Sequence, residues 1–331
     1  MPSPTSNNLN SGSTLRVALA GLAHVHAAGY LDRLRNFPGV SLAGISDTRP
    51  DQVAAVSEAY RIPGYSSWSE LFEEQRPDAV IVANENALHL KPASEAIRRG
   101  IAVLCEKPLG TDEEEMLRFL DLIDKHGGRC MTLLPNRFAV PVLEAKAALD
   151  AGLLGNLRAV YATNCGKMPG GFFVRPDLSG GGSMMDHTIH VADLTNWMVG
   201  AEPEEVLGIA RTKLHPDIEV DDVSHVHYRY ANGVVVTLDS SWSRHERYPS
   251  DRNLTMMLVG DKRSFFVDLT RDRMDVYGEQ PGWIVGGDKV QLMLEAAMDC
   301  LKNDRPFPVT ARDGYLASRV ALRAYRNRWG D

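Results

Sequence analysis

LRVALAGLAHVH, residues 15–26, joins a short apolar run to a glycine and then to a helix-forming stretch that continues to about Arg35. Strand, glycine, helix is the setting of the dinucleotide fingerprint G-x-G-x-x-G, in which a tight turn lets a pyrophosphate approach the first turn of the helix. Only Gly21 of the three glycines is kept; Ala23 and His26 stand at the second and third places. Taken alone, the segment fits an ordinary strand–helix turn equally well.

The flanking sequence extends the pattern. Val40–Ser46 (VSLAGIS), Asp78–Ala83 (DAVIVA), Ile101–Cys105 and Arg129–Leu133 read as further strands. Between them lie helical stretches at Asp51–Tyr60, Ser69–Gln75 and Pro92–Arg99, and one opened by Thr111 as N-cap with Glu114 completing a capping box. Apolar strands alternating with helices predict a parallel sheet covered on both faces, with ligands beyond the carboxyl ends of the strands. Those ends carry Gly21, Asp47, Asn84 and Glu106. Asp47 follows Gly21 by 26 residues. An acid there bonds the adenosine ribose hydroxyls and repels a 2′-phosphate, which favours NAD over NADP. Neighbouring Arg49 softens that preference, and a helix or turn cap is the plainer role for Asp47.

After about Pro135 the pattern changes. A helix (about Phe138–Ala151) leads to an alternating strand, Leu157–Thr163, and Gly180-Gly181-Gly182 opens a helix through about Met198. Strand-like segments follow at Glu205–Lys213, Val223–Tyr230, Val234–Ser241, Leu254–Val259 and Ser264–Asp268, then helices near Val290–Lys302 and Ala311–Arg328. Asn232-Gly233 between two of the strands is a strong hairpin signal. This half reads as an antiparallel sheet with helices.

Composition sets outer limits. The 331 residues suggest two domains of roughly 150 residues each. With 44% hydrophobic and 24% charged residues the chain is of globular type. A net charge of −7 argues against a nucleic-acid partner, and no apolar run approaches the ~20 residues of a membrane span. The Ser/Asn/Pro-rich stretch Met1–Thr14 reads as a disordered tail rather than a signal peptide. The four dispersed cysteines contain no Cys-x-x-Cys, which points to reduced thiols and a cytoplasmic location.

Two further segments carry chemistry. Val82–His89 (VANENALH) and Val103–Pro108 (VLCEKP) close the third and fourth strands, so Lys107 stands at the ligand edge. Pro108 restricts Lys107 to extended backbone. A lone lysine is otherwise a solvated surface group. In Gly180–Asp193 (GGGSMMDHTIHVAD), Asp186 and His190 are spaced i, i+4 and share a helix face. Standing alone, that run would be an ordinary helix start with a polar face.

Together these segments resemble the Gfo/Idh/MocA family over about Leu15–Arg328, most specifically at Glu106-Lys107-Pro108 and Gly180–Asp193. The stretch Asp222–Trp242 is also similar to the family's sheet. The resemblance implies an α/β chain with a Rossmann domain at 15–135. It also implies a substrate-binding and oligomerisation domain at 136–331 with an open, mostly antiparallel sheet, its C-terminal helix packing back on the Rossmann domain. It implies NAD, with NADP an alternative, and a sugar, sugar-derivative or cyclitol carbinol as substrate. A homodimer or homotetramer through the C-terminal sheet goes with it, and no metal.

Residue by residue, the resemblance assigns catalysis to Lys107, Asp186 and His190. Cofactor contacts fall on Gly21, Ala23, His24, Val25, Asp47, Asn84, Asn86, His89, Glu106 and Lys107, and substrate contacts on Lys107, Arg175, Asp186, His187 and His190. Asn86 and His89 match a segment that in the family usually reads Thr-Pro-Asn-x-x-His. The departures, Ala23, His26 and Glu85, are concentrated at the cofactor. In the implied mechanism His190 is the acid/base, Lys107 stabilises developing alkoxide, and Asp186 orients hydroxyls and meets Lys107. A proton relay through Lys107 is the alternative assignment. Lys167 and Arg175, in the loop before the glycine triplet, fit contacts to a carboxylate or several hydroxyls and equally well solvated loop charges, while Phe172, Phe173 and Trp242 fit apolar sugar faces but are more often core.

Three rival functions remain at this level. One is a glycoside-cleaving enzyme that uses tightly bound NAD for transient oxidation and elimination. Another is a metal-dependent hydrolase, suggested by His24-x-His26, against which the hairpin-rich second half counts. The third is a nucleotide-binding sensor without catalysis, against which the retained Lys107, Asp186 and His190 count.

Overall fold

In the computed structural model, which describes residues 14–250, 252–277 and 282–329, two sheets divide the chain. The tail expected at 1–14 lies, apart from Thr14, outside the described residues. Six strands make the first sheet: β1 Leu15–Ala20, β2 Val40–Ser46, β3 Gly64–Tyr65, β4 Ala79–Val82, β5 Ala102–Cys105 and β6 Cys130–Thr132. All pair in parallel, in the order β3-β2-β1-β4-β5-β6. The order reverses beside β1, which opens a crevice at the carboxyl ends of β1 and β4. The helices between them are α1 Ala27–Leu34, α2 Pro50–Tyr60, α3 Trp68–Gln75, α4 Leu90–Arg98 and α5 Glu113–His126. β1 shows why the sheet forms: Leu15, Val17 and Leu19 enter the core on one face, Ala18 and Ala20 that on the other. Alternate side chains of one strand thus bury on both faces, as a helix-covered parallel sheet requires.

The second sheet has eight strands: β7 Leu157–Gly166, β8 Glu205–Arg211, β9 Val223–Arg229, β10 Val235–Asp239, β11 Arg252–Gly260, β12 Ser264–Asp268, β13 Arg273–Tyr277 and β14 Gly282–Val285. Their order is β14-β13-β12-β11-β7-β10-β9-β8, antiparallel except for the β7–β10 pair. Helices α6 Val140–Asp150, α7 Pro176–Ser179, α8 Ser183–Val199, α9 Lys289–Lys302 and α10 Ala311–Arg326 complete the fold. α8 packs on α10 and against β7 and β9, while α10 also reaches β6 and α5 of the first sheet.

Four details depart from the sequence expectations. α5 begins one residue later than the expected capping box allows: Asp112, not Thr111, caps it by accepting the Glu115 N–H at 2.9 Å. β3 is an additional two-residue edge strand. β13 and β14 lengthen the second sheet. β7 runs three residues beyond Thr163, because β11 pairs with it as far as Gly166.

α8 has no cap of its own. Its N-cap is Gly182, where a Cβ would collide with the backbone of Asp221. The Asp221 carboxylate does the capping from a distant loop. It accepts Gly182 N–H at 3.1 Å, Met184 N–H at 2.8 Å and the Ser183 hydroxyl at 2.9 Å. Charge-assisted bonds at a helix N-terminus satisfy donors that the helix leaves unpaired. Asp221→Ala should therefore lower unfolding free energy by about 2–3 kcal/mol in urea titration, with unchanged cofactor stoichiometry. A loss below about 0.5 kcal/mol would show the helix start to be held by other contacts.

Candidate active site

The carboxyl ends of β1, β2, β4 and β5 converge on one edge, and each ends in a residue that positions the next. Gly21 has φ +94°, and a Cβ there would run into the backbone of Asn84. Only glycine lets the two strand ends approach so closely. Past β2, Asp47 accepts the Leu22 N–H at 2.6 Å and the Arg49 N–H at 3.0 Å, and pairs with the Arg49 guanidinium through Nε at 2.7 Å. Burial pushes the Asp47 carboxyl up, but these bonds outweigh it and hold the group below its ordinary value.

Past β4, Asn84 and Asn86 are buried, and each keeps a side-chain oxygen without a hydrogen-bond partner. The Asn86 amide donates to the Ser179 carbonyl at 3.1 Å, which ties this edge to α7. His89 sits deeper than a ligand contact requires. Its ring is fully buried, with Nδ1 2.7 Å from the Pro108 carbonyl and Nε2 3.2 Å from the Asn84 carbonyl. It clamps two loops together, so its expected role as a cofactor contact becomes one of shaping the cradle. Ala23 packs against the Phe172, Phe173 and Trp242 cluster, and Val25 is 60% exposed on the rim.

Past β5, Glu106 is also fully buried, where a direct cofactor contact was expected. Its Oε1 accepts the Tyr30 hydroxyl at 2.5 Å, lies 2.9 Å from His26 Nδ1 and stands 3.6 Å from His24 Nδ1. Burial pushes this carboxyl up, yet His24, His26 and the Tyr30 bond overcome it and keep the group well below the usual range. Burial drives the His24 ring well below the ordinary histidine value.

Lys107 and α8 complete the arrangement. The Lys107 ammonium is 4% exposed as a residue and donates to Asp186 Oδ1 at 2.5 Å. The other Asp186 oxygen accepts Trp242 Nε1–H at 3.1 Å and stands 3.3 Å from His187 Nε2. Burial alone would raise the Asp186 carboxyl; the Lys107 ammonium, His187 and the Trp242 bond reverse that, and it stays ionised far below the usual range. His190 lies one helical turn further along α8, its Nδ1 buried without a partner. Burial, and after it the Lys107 charge, push its proton affinity well below the ordinary value. A neutral imidazole beside a fixed ammonium and a fixed carboxylate can accept a proton from a hydroxyl while the ammonium steadies the resulting oxyanion.

The structure thus brings Lys107, Asp186, His187 and His190 together. It does not bring Arg175 to them: that guanidinium is exposed and pairs with Asp177 at 3.0 Å. Two participants escaped the sequence reading. Trp242 reaches Asp186 through its indole N–H rather than serving only as core, and Tyr30 binds Glu106. Both are partners across 56 and 76 residues, with no local pattern to reveal them.

Comparisons with known proteins match this architecture. Residues 15–133 match the oxidoreductase family with NAD-binding Rossmann fold, and residues 142–280 match the GFO/IDH/MocA C-terminal domain. The D-glucoside 3-dehydrogenase of Escherichia coli K12 is 28% identical, covering 96% of each chain. Inositol 2-dehydrogenase 4 of Saccharopolyspora erythraea is 30% identical over 69% of this chain and 67% of its own length. Among solved structures, the WlbA dehydrogenase from Bordetella pertussis in complex with NADH and UDP-GlcNAcA superposes with a TM-score of 0.85 at 21% identity, covering 95% of each chain.

Proposed function

Because the chain belongs to the Gfo/Idh/MocA family of NAD-binding oxidoreductases, we infer that it moves a hydride between NAD and a secondary carbinol of a sugar, sugar derivative or cyclitol, with Lys107, Asp186 and His190 as its catalytic residues. The observation that carries this assignment is the buried 2.5 Å pair of Lys107 and Asp186, one helical turn from His190 at the carboxyl edge of the parallel sheet. The edge suits a dinucleotide: Gly21 lets the ends of β1 and β4 close up at the turn before α1, and Asn84 and Asn86 keep unpaired buried oxygens there.

When bound, the nicotinamide supplies the hydride acceptor. His190 takes the carbinol proton, Lys107 stabilises the developing alkoxide, and Asp186 fixes Lys107 and orients neighbouring hydroxyls. Trp242 and His187 hold Asp186 in turn. Since burial and Lys107 keep His190 neutral, kcat/KM should stay level as pH falls and drop only through an inflection below the ordinary value of about 6.5.

The two sheets support a division into a nucleotide domain at 15–135 and a substrate domain at 136–331. The second sheet exposes Tyr161, Leu207 and Val235, which supports assembly as a homodimer or homotetramer. The cysteines Cys105, Cys130, Cys165 and Cys300 are all unpaired, which suits a reducing cytoplasm.

Asp47 makes NAD the preferred cofactor over NADP. Calorimetric titration should give tighter binding for NAD, and Asp47→Ser should narrow the gap by about tenfold or more as the repulsion of a 2′-phosphate is lost. Tighter binding of NADP by the unmodified chain would transfer the controlling role to Arg49. Mass spectrometry of the protein as purified, followed by a panel of sugars and polyols with NAD, tests the activity itself. NADH formation supports it, whereas consumption of a glycoside without net NADH would favour elimination chemistry.

A further inference from the structure

His24, His26 and Glu106 have no part in the hydride chemistry described above, yet they meet in one buried corner. The two histidines come from the turn after β1 and the carboxylate from the end of β5. One potential ligand atom from each lies within 4.8 Å of the others. We propose that these three residues form a binding site for a single divalent transition-metal ion of the zinc class, one residue from the Lys107 ammonium.

The donor set is two imidazoles and a carboxylate, the set of catalytic zinc sites that leave a fourth position for water or a substrate oxygen. Ligands at about 2.0–2.2 Å on a tetrahedron stand roughly 3.3–3.6 Å apart. The 3.6 Å between His24 Nδ1 and Glu106 Oε1 matches that spacing. His24 Nδ1 is the unprotonated nitrogen of its ring, since it accepts the His26 backbone N–H at 3.3 Å, a long bond that an ion would replace. His26 Nδ1 and Glu106 Oε1 now share a proton at 2.9 Å. Binding moves that proton to His26 Nε2 and lets the ring, whose side chain is 32% exposed, swing back to ligand distance.

Supporting contacts are also in place. The Tyr30 hydroxyl, which donates to Oε1, and the Lys107 backbone N–H, which donates to Oε2 at 3.0 Å, orient the carboxylate, as partners of metal-bound carboxylates do. Phe172 and Phe173 wall the His24 ring, their centroids 6.3 and 5.5 Å from its own, and His24 Nε2 is buried without a partner. A plain packing role would favour an apolar side chain there over two histidines and a charged carboxylate. The site requires no hydride chemistry: it adds a Lewis acid beside the Lys107 edge whatever the substrate.

The test strips the full-length protein with chelator, then titrates Zn²⁺ by calorimetry and Co²⁺ by its visible ligand-field absorption. The expected result is one site per chain, with the intense absorption of a four-coordinate cobalt site. His24→Gln and His26→Gln should each weaken Zn²⁺ binding by about tenfold or more. His126→Gln, on the exposed end of α5, should leave it unchanged. If His24→Gln fails to fold, the partly exposed His26 position decides the matter. Wild-type Zn²⁺ affinity in His26→Gln, or no saturable site in the parent chain, would overturn the proposal. NAD titration of the same stripped samples separates the two readings. Protein that binds NAD and never zinc loses the metal site alone, and protein that binds zinc and never NAD loses the oxidoreductase assignment alone.

Discussion

His190→Ala should lower kcat by ~10²–10⁴ while NAD binds almost as tightly as before. The ring is half-buried and its Nδ1 makes no hydrogen bond, so removing it breaks no pairing at that atom and takes away only a proton acceptor. Lys107→Met should show a comparable loss of kcat with a different accompaniment. Asp186 then remains buried without its ammonium, and the carboxyl rises toward its ordinary value. The sign follows from linkage. In the parent chain the depressed Asp186 carboxyl contributes stability that is present above the unfolded value of about 4 and lost only as pH falls through the lower folded value. Lys107→Met removes that contribution, so acid unfolding should begin at a higher pH than in the parent, whereas His190→Ala should shift it little. Comparing kcat, NAD affinity and acid-unfolding midpoint in both variants checks the assignment. Near-parental turnover in either would remove that residue from the chemical step.

Arg137→Met should lower unfolding free energy by about 3–5 kcal/mol, the cost of leaving a buried charge unpaired. The Arg137 guanidinium meets Asp193 through Nε at 2.9 Å to both oxygens and through Nη2 at 2.6 Å, and the same Nη2 meets Asp313 at 2.9 Å. Arg137 and Asp193 are 6% and 1% exposed, so water relieves little of the loss. One side chain thus joins the turn after β6 to α8 and to the capping box of α10. Asp193 lies on the helix that carries Asp186 and His190, so kcat should fall together with stability. Pairing the change with Asp193→Leu should recover a large part of the stability, because an apolar pair carries no desolvation penalty. Urea midpoints of the three proteins, with m-values compared, measure this. A loss under 1 kcal/mol in Arg137→Met would mean that Asp193 finds another partner or is solvated.

The strands of the parallel sheet and the edge that their ends form were legible because their signals are local. LRVALA, VSLAGIS and DAVIVA are apolar runs closed by Gly21, Asp47 and Asn84, and Asn232-Gly233 turns β9 into β10 as its dipeptide requires. The i, i+4 spacing of Asp186 and His190 likewise survives in α8. Strands β13 and β14 were not legible: they are five and four residues long, with RMDVY offering two apolar residues among charges and GWIV forming the sheet edge. The start of α8 at the glycine triplet was legible but its cap was not, since Asp221 lies 39 residues from Gly182. The same holds within the site. Sequence placed Lys107 at the edge, but the burial of Glu106 and His89 depends on Tyr30, His26 and two backbone carbonyls that only the fold brings together. Arg175 had a suggestive position in the loop and a guanidinium that turns to Asp177 and solvent instead.

Hydride transfer from a carbinol carbon to NAD with His190 as the base is read directly by isotope transfer. Once the panel identifies a sugar or cyclitol that turns over, the same compound carrying deuterium on the oxidised carbon is incubated with NAD and the parent chain. NADH with one deuterium on the nicotinamide ring is expected from the parent chain and should be nearly abolished in His190→Ala that still binds NAD. Unlabelled NADH, or equal label transfer in the variant, would contradict it.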